Sequence, residues 1–230
     1  MSMPEVVVII PALNEEQSIG NVLADIPEKI VSEVVVVDNN SHDGTAEIAR
    51  NAGATVVHES RQGYGFACLK GIEYVKSRRR KADIAVFLDA DYSDYPEEMV
   101  SLIQPVIQHN YDLVIGSRLL GKLERGAMLP YQVFGNRLAV MLIRLLCGAR
   151  YTDLGPFRAI KFDKLLKLNM EEKTYGWTAE MQVKAAKQRL LYCEVPVNYR
   201  PRIGTSKISG TAKGAVLAGC GIITTILKYM

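Results

Sequence analysis

A chain of 230 residues is long enough to bury one large core or two small ones. With 48% hydrophobic and 23% charged residues and a formal net charge of +3, it excludes collagen, coiled coil, disulfide mini-protein and disorder. The small net charge hides an asymmetry, because the first 118 residues carry an acidic excess and the remainder a larger basic one. That split fits nucleic-acid or membrane contact, or a site that handles a cation on one side and phosphates on the other.

The N-terminus has no basic stretch leading into a secretory core, and the apolar run over 6–10 is too short for one. Strands are expected over 5–11, 33–38, 55–58, 83–88 and 112–115, alternating with helices over 15–26, 45–51, 66–77 and 97–108. The runs Val6-Val-Val-Ile-Ile10 and Val34-Val-Val-Val37 lack inside-outside alternation, so those strands are expected to be buried on both faces. The pattern predicts an α/β fold with a mostly parallel central sheet flanked by helices. After residue 118 the rhythm breaks into a helix over 134–147, a strand over 157–162, a helix over 178–188 and a strand over 191–199. No linker separates the halves, which predicts one domain: a nucleotide half over 1–118, an acceptor half over 119–210, then an apolar helix over 211–230. The uncharged run over 215–227 falls short of the ~20 residues needed to cross a bilayer. That last helix reads either as a core or homodimer helix, or as an interfacial helix resting on a membrane.

Cys68, Cys147, Cys193 and Cys220 are widely spaced and form no C-x-x-C pair, as expected of reduced core thiols in a cytoplasmic protein. The basic run over 76–81 reads first as a solvated helix C-terminus, and only second as a nucleic-acid or anionic-lipid contact. Three polar clusters fall at strand ends: Pro11 to Glu16, Asp38 to Thr45, and Asp89 to Asp94. In open α/β sheets, ligands bind at the carboxyl ends of strands. Asp89-Ala-Asp91 can hold a hard divalent cation that shares its shell with phosphates. Asp38 can accept from a base or ribose, or can cap the following helix. Gly63-Tyr-Gly65 is not a dinucleotide fingerprint, because Cys68 stands where the third glycine belongs. His42, His58 and His109 share no metal-ligand spacing.

Val-Ile-Ile-Pro-Ala-Leu-Asn-Glu-Glu (8–16), Val-Val-Asp-Asn-Asn-Ser-His-Asp-Gly-Thr (36–45) and Phe-Leu-Asp-Ala-Asp (87–91), in this order, resemble family 2 glycosyltransferases of GT-A fold. Gly116-Ser-Arg118, Thr152-Asp-Leu-Gly-Pro-Phe-Arg158 and Arg202-Ile-Gly-Thr-Ser-Lys207 are most similar to the dolichyl- and polyprenyl-phosphate mannosyl- and glucosyltransferase branch. The resemblance implies that Pro11, Asn14, Glu15, Asp38, Asn40 and Asp89 surround a UDP- or GDP-sugar, and that Asp89 and Asp91 meet Mg²⁺ or Mn²⁺ and the diphosphate. It implies phosphate contacts for Arg118, Arg158, Arg202, Ser206 and Lys207, with Arg202 and Lys207 closing over the donor. The chain departs from the branch after Asp91, where Ser93 replaces a common glutamine and Asp94 follows; the residues leave open whether Ser93, Asp94 or neither reaches the metal shell.

Glu180 has the chemistry of an acceptor-deprotonating base, or pairs with Lys184 one helical turn on. A phosphate acceptor is already anionic and needs no strong base. Trp177 and Tyr175 read as packing or as a sugar-stacking wall. The expected activity is thus inverting, metal-dependent hexosyl transfer to a polyprenyl phosphate, at most peripheral to the inner face of a membrane and without nucleic acid. The rivals are a soluble hydroxyl acceptor, a sugar-phosphate nucleotidyltransferase and a non-enzymatic nucleotide binder.

Overall fold

The computed structural model describes residues 4–204 and 212–230. Its centre is a seven-stranded sheet built from β1 (Val6–Ala12), β2 (Glu33–Asp38), β3 (Thr55–His58), β4 (Ile84–Phe87), β5 (Leu113–Ser117), β6 (Arg158–Lys161) and β7 (Tyr192–Pro196), in the order β3-β2-β1-β4-β6-β5-β7. The first four strands pair in parallel, as do β5 and β7, while β6 runs antiparallel between β4 and β5. A strand from the second half therefore sits inside the sheet, joining both halves in one core.

All seven residues of β1 are buried, as its unbroken apolar run predicts. Successive side chains point to opposite faces and feed two cores. Val7, Ile9, Val35, Val37 and Phe87 join one; Val6, Val8, Ile10, Val36 and Val86 join the other. The covering helices are α1 (Ile19–Ala24), α2 (Thr45–Asn51), α3 (Tyr64–Ser77), α4 (Met99–Gln108), α5 (Pro130–Cys147), α6 (Phe162–Leu168), α7 (Trp177–Lys187) and α8 (Ala212–Tyr229). Helix α3 lies so close to the sheet that a Cβ on Gly71 would collide with Ile9.

Helix α1 is shorter than the expected 15–26, because the backbone of Glu15 and Glu16 is diverted to Thr45 and Asp43. Helix α6, absent from the sequence reading, follows β6 without a turn and buries Phe162, Leu165 and Leu168 at a spacing of three. Arg78 and Arg80, from the basic run, pair with Glu5, and Arg78 also pairs with Glu33 at 2.7 Å. The run thus ties α3 to the sheet. The carboxyl ends of β1, β2 and β4 bring together the three polar clusters.

Candidate active site

Two cavities of about 390 Å³ each open at this edge and share Tyr64, Asp89, Tyr175 and Arg202. The first is also lined by Pro11, Glu15, Asn39, Gly63 and Asp91. The second runs between α5 and α8, where Leu138, Leu154, Ile222 and Ile223 give it an apolar wall and Arg118 and Tyr199 a polar one.

The D-x-D loop forms the boundary between them. Asp89 Oδ1 accepts from the Tyr64 hydroxyl at 3.0 Å. Burial, reinforced by the charge of Asp91, pushes the Asp89 carboxyl up to about 7. Asp91 Oδ1 accepts from the backbone N–H and the hydroxyl of Ser93, and its Oδ2 lies 3.1 Å from Arg202 Nη2. The same Nη2 lies 3.1 Å from Glu15 Oε1, so one guanidinium joins the first and third polar clusters. Among the described residues no three His, Cys, Asp or Glu side chains already form a metal cage. Asp89 and Asp91 are nevertheless all-oxygen donors of mutually unfavourable charge, and both oxygens of the neighbouring buried Asp94 lack partners. This donor set fits a hard divalent cation.

Arg118 points into the second cavity, gripped by Asp153. Its Nε and Nη2 donate to the two Asp153 oxygens at 2.8 and 2.7 Å, its backbone N–H adds a third bond, and the guanidinium stacks 5.0 Å from the Tyr199 ring. Burial pushes the Asp153 carboxyl upward, but the charge and hydrogen bonds of Arg118 prevail and hold it below the usual carboxylate range. Glu194 in turn accepts from the Thr152 and Asp153 N–H groups.

Several sequence expectations are corrected. Arg158 is fully buried and donates to the carbonyls of Leu154, Gly155 and Thr178, so it braces the wall of the second cavity and presents no guanidinium to a phosphate. Burial lowers it to about 10. Glu180 is fully buried as well: its oxygens accept from the Glu171 and Glu172 N–H groups at 2.8 Å and pair with Lys184 at 2.7 Å. Its oxygens are thus committed to the helical ion pair and to the 171–175 segment, which they anchor, and Glu180 lines neither cavity. That segment lies against the glycine loop so tightly that a Cβ on Gly65 would meet the Glu172 carbonyl. Trp177 is 1% exposed and packs on Phe87, whereas Tyr175 faces both cavities.

Asn14 and Asn40 line neither cavity. Both take the left-handed backbone that asparagine tolerates, at φ 52° and 64°. Asn14 staples two loops, donating its N–H to Ser41 and accepting from the His42 N–H. Asp38 accepts from the Ser41 N–H and lies 3.1 Å from His58 Nδ1; its neighbour Asn39 lines the first cavity instead. Asn39, unassigned from sequence, folds the following loop over that cavity by donating to the carbonyls of Glu59 and Arg61 and accepting from Gly63. Tyr64 and Asp153 also escaped the sequence reading, although Asp153 lies within a quoted motif. Ser206 and Lys207 lie outside the described residues.

The comparisons with known proteins follow the same lines. The family described as Glycosyl transferase family 2 matches residues 7–168. A dolichyl-phosphate hexose transferase of Haloferax volcanii is 34% identical over 97% of this chain and 95% of its own length. An uncharacterised glycosyltransferase of Mycobacterium bovis is 35% identical over 95% of this chain and 96% of its own. Among solved structures, glucosyl-3-phosphoglycerate synthase from Mycobacterium tuberculosis, in a complex with UDP, superposes with a TM-score of 0.78 at 21% identity, covering 98% of this chain and 80% of that one. The same synthase has been solved with Mn²⁺, UDP-glucose and phosphoglyceric acid, with a TM-score of 0.78 at 22% identity, covering 98% and 79%. The shared architecture is the GT-A fold, and the chain belongs to the family 2 glycosyltransferases.

Proposed function

We propose that this glycosyltransferase moves a hexosyl group, with inversion, from a UDP- or GDP-sugar to a polyprenyl phosphate at a membrane surface. One observation carries the reading: the second cavity joins an apolar channel between α5 and α8 to the anchored cation Arg118, and it meets the first cavity at Asp89. A lipid tail with a phosphate head has that chemistry. The dolichyl-phosphate relative supports the same acceptor class.

In this reading the donor occupies the first cavity between Pro11, Glu15 and Asn39, with Asp38 and the stapled loops of Asn14 and Asn40 behind it. Asp89 and Asp91 would hold a divalent cation, whose charge would stabilise the departing nucleoside diphosphate. Arg202, already at that boundary, meets the same phosphates, and Ser206 and Lys207 follow it in sequence. Arg118 fixes the acceptor phosphate, whose oxygen attacks the anomeric carbon from the face opposite the diphosphate. Catalysis is then positioning plus charge stabilisation. Asp89 is the one carboxylate among the described residues lining the second cavity. A phosphate acceptor suits a cavity without a dedicated base, and the burial of Glu180 fits it.

The outer surface of α5 supports action at a lipid surface. Phe134 and Leu145 are 70% and 72% exposed, Arg137 and Arg144 lie exposed on the same helix, and α5 contains no acidic residue. Such a face suits an anionic bilayer. No helix among the described residues is long and apolar enough to cross a membrane. The decisive experiment supplies labelled UDP-glucose or GDP-mannose, Mn²⁺ and a polyprenyl phosphate. Label entering the butanol phase supports the proposal; label entering only water-soluble product from a sugar or phosphoglycerate acceptor replaces it with a soluble-acceptor enzyme.

A further inference from the structure

The sequence Asp89-Ala-Asp91-Tyr-Ser93-Asp94 offers two candidates for a third member of the cation site, and the structure separates them. Ser93 is committed: its N–H and hydroxyl both donate to Asp91 Oδ1, and its carbonyl accepts from the Arg200 N–H. Asp94 is 1% exposed, and neither of its carboxylate oxygens has a hydrogen-bond partner. Leaving a buried carboxylate unpaired is among the costlier arrangements a fold can hold. The backbone gives Asp94 no way out, because it bridges to Tyr199 and its carbonyl accepts from Arg200.

The charges that reach Asp94 are those of Asp89, Asp91 and Asp153 on the negative side and Arg118 on the positive side. The surrounding guanidiniums have other partners. Arg118 is gripped by Asp153, and Arg202 bridges Glu15 and Asp91. Arg200 donates to the Tyr92 carbonyl and stacks on Tyr92 and Tyr95. Carboxyls thus crowd this edge of the site, with Asp89, Asp91 and Asp153 all reaching Asp94, an acidic surplus that a divalent cation would offset.

We infer that Asp94 is the third carboxylate setting the affinity of this site for a divalent cation. It acts on the site from outside both cavities, through its proximity to Asp89 and Asp91, and among the described residues no preformed cage exists. The inference rests on the reading of Asp89 and Asp91 as cation carboxylates. Carboxylates in this supporting position change metal affinity by about 10–100-fold.

The test is a Mn²⁺ titration of the full chain in the presence of UDP, read by the electron paramagnetic resonance of free Mn²⁺, together with thermal melting with and without Mn²⁺. Asp94→Asn should bind Mn²⁺ at least ~10-fold more weakly. Without metal it should melt no lower than the parent, because it removes a buried carboxyl that has no hydrogen-bond partner. Asp94→Glu should restore part of the affinity. If Asp94→Asn binds Mn²⁺ within twofold of the parent, or melts lower without metal while keeping its affinity, Asp94 is structural and the inference fails. Asp91→Asn is the control: if it too binds like the parent, the D-x-D cation site itself is wrong.

Discussion

Arg202 and Asp91 form an ion pair at 3.1 Å, and the same guanidinium nitrogen reaches Glu15 at equal distance. The Ile203 N–H donates to the Asp91 carbonyl at 2.9 Å, so side chain and backbone both hold this strap against the D-x-D loop. With Asp91 as a cation ligand, the guanidinium would compete with the metal, yet it would favour a bound diphosphate. Arg202→Gln should therefore have effects of opposite sign: tighter binding of Mn²⁺ alone and weaker binding of UDP with Mn²⁺, each by about tenfold if the pair contributes ~1.4 kcal/mol. Calorimetric titration checks both. Equal weakening of the two would show that Arg202 is not a competitor for the metal carboxylate.

Arg118 and Asp153 make the best-aligned buried ion pair of the site. Replacing Arg118 by Gln leaves Asp153 buried without its cation, which should cost about 3–5 kcal/mol of stability at neutral pH. The Asp153 carboxyl is held below its ordinary value of 3.8, so the pair's contribution is present above about pH 4 and is lost as pH falls through the folded value. In the variant the unpaired carboxyl is pushed upward by burial, and protonation relieves it. The stability gap should therefore narrow on acidification, as measured by urea unfolding between pH 3 and 7. A gap independent of pH would show that the lost energy is packing rather than charge.

Much of this arrangement was legible in the residues. The unbroken runs at β1 and β2 announced doubly buried strands, and the polar clusters at strand ends marked the cleft. What escaped depends on contacts far apart in sequence. The antiparallel insertion of β6 leaves no periodicity signal in a four-residue strand. Arg158 shares a motif with Asp153, but only the fold shows that one is enclosed by carbonyls while the other grips Arg118. Spacing did reveal the Glu180–Lys184 pair as one of two readings, and it could not reveal the backbone N–H groups of Glu171 and Glu172 that complete it.

Glu180→Gln separates those readings. A general base contributes about 10²–10⁴-fold, so its removal would lower kcat by that factor. The observed geometry predicts a different result: kcat within a fewfold of the parent, a lower melting temperature, and a modest rise in donor KM, since the anchored segment carries Thr174 and Tyr175 to the donor-side cavity. Steady-state kinetics beside thermal melting decide between them, and a hundredfold loss of kcat in a fully folded variant would reinstate the base.

Phe134 and Leu145 stand on the outer surface of α5, while the apolar channel opens along the same helix and α8. On the proposed reading, contact of this face with a bilayer would bring the α5 side of the channel to the lipid that holds the acceptor tail. Burying one such side chain contributes about 1.5–3 kcal/mol, so Phe134→Asp or Leu145→Asp should weaken binding to vesicles containing anionic lipid by roughly 10–100-fold. Arg137→Gln and Arg144→Gln should have a smaller effect that disappears at high salt, as expected for screened surface charges. Flotation with vesicles measures binding, and transfer to a short, water-soluble isoprenyl phosphate measures catalysis. The expected pattern is lost flotation and lost transfer to the vesicle-borne acceptor, with transfer to the soluble analogue retained. Variants that lose both transfers would place these residues in the fold or the catalytic site, and variants that float like the parent would move the membrane contact elsewhere on the molecule.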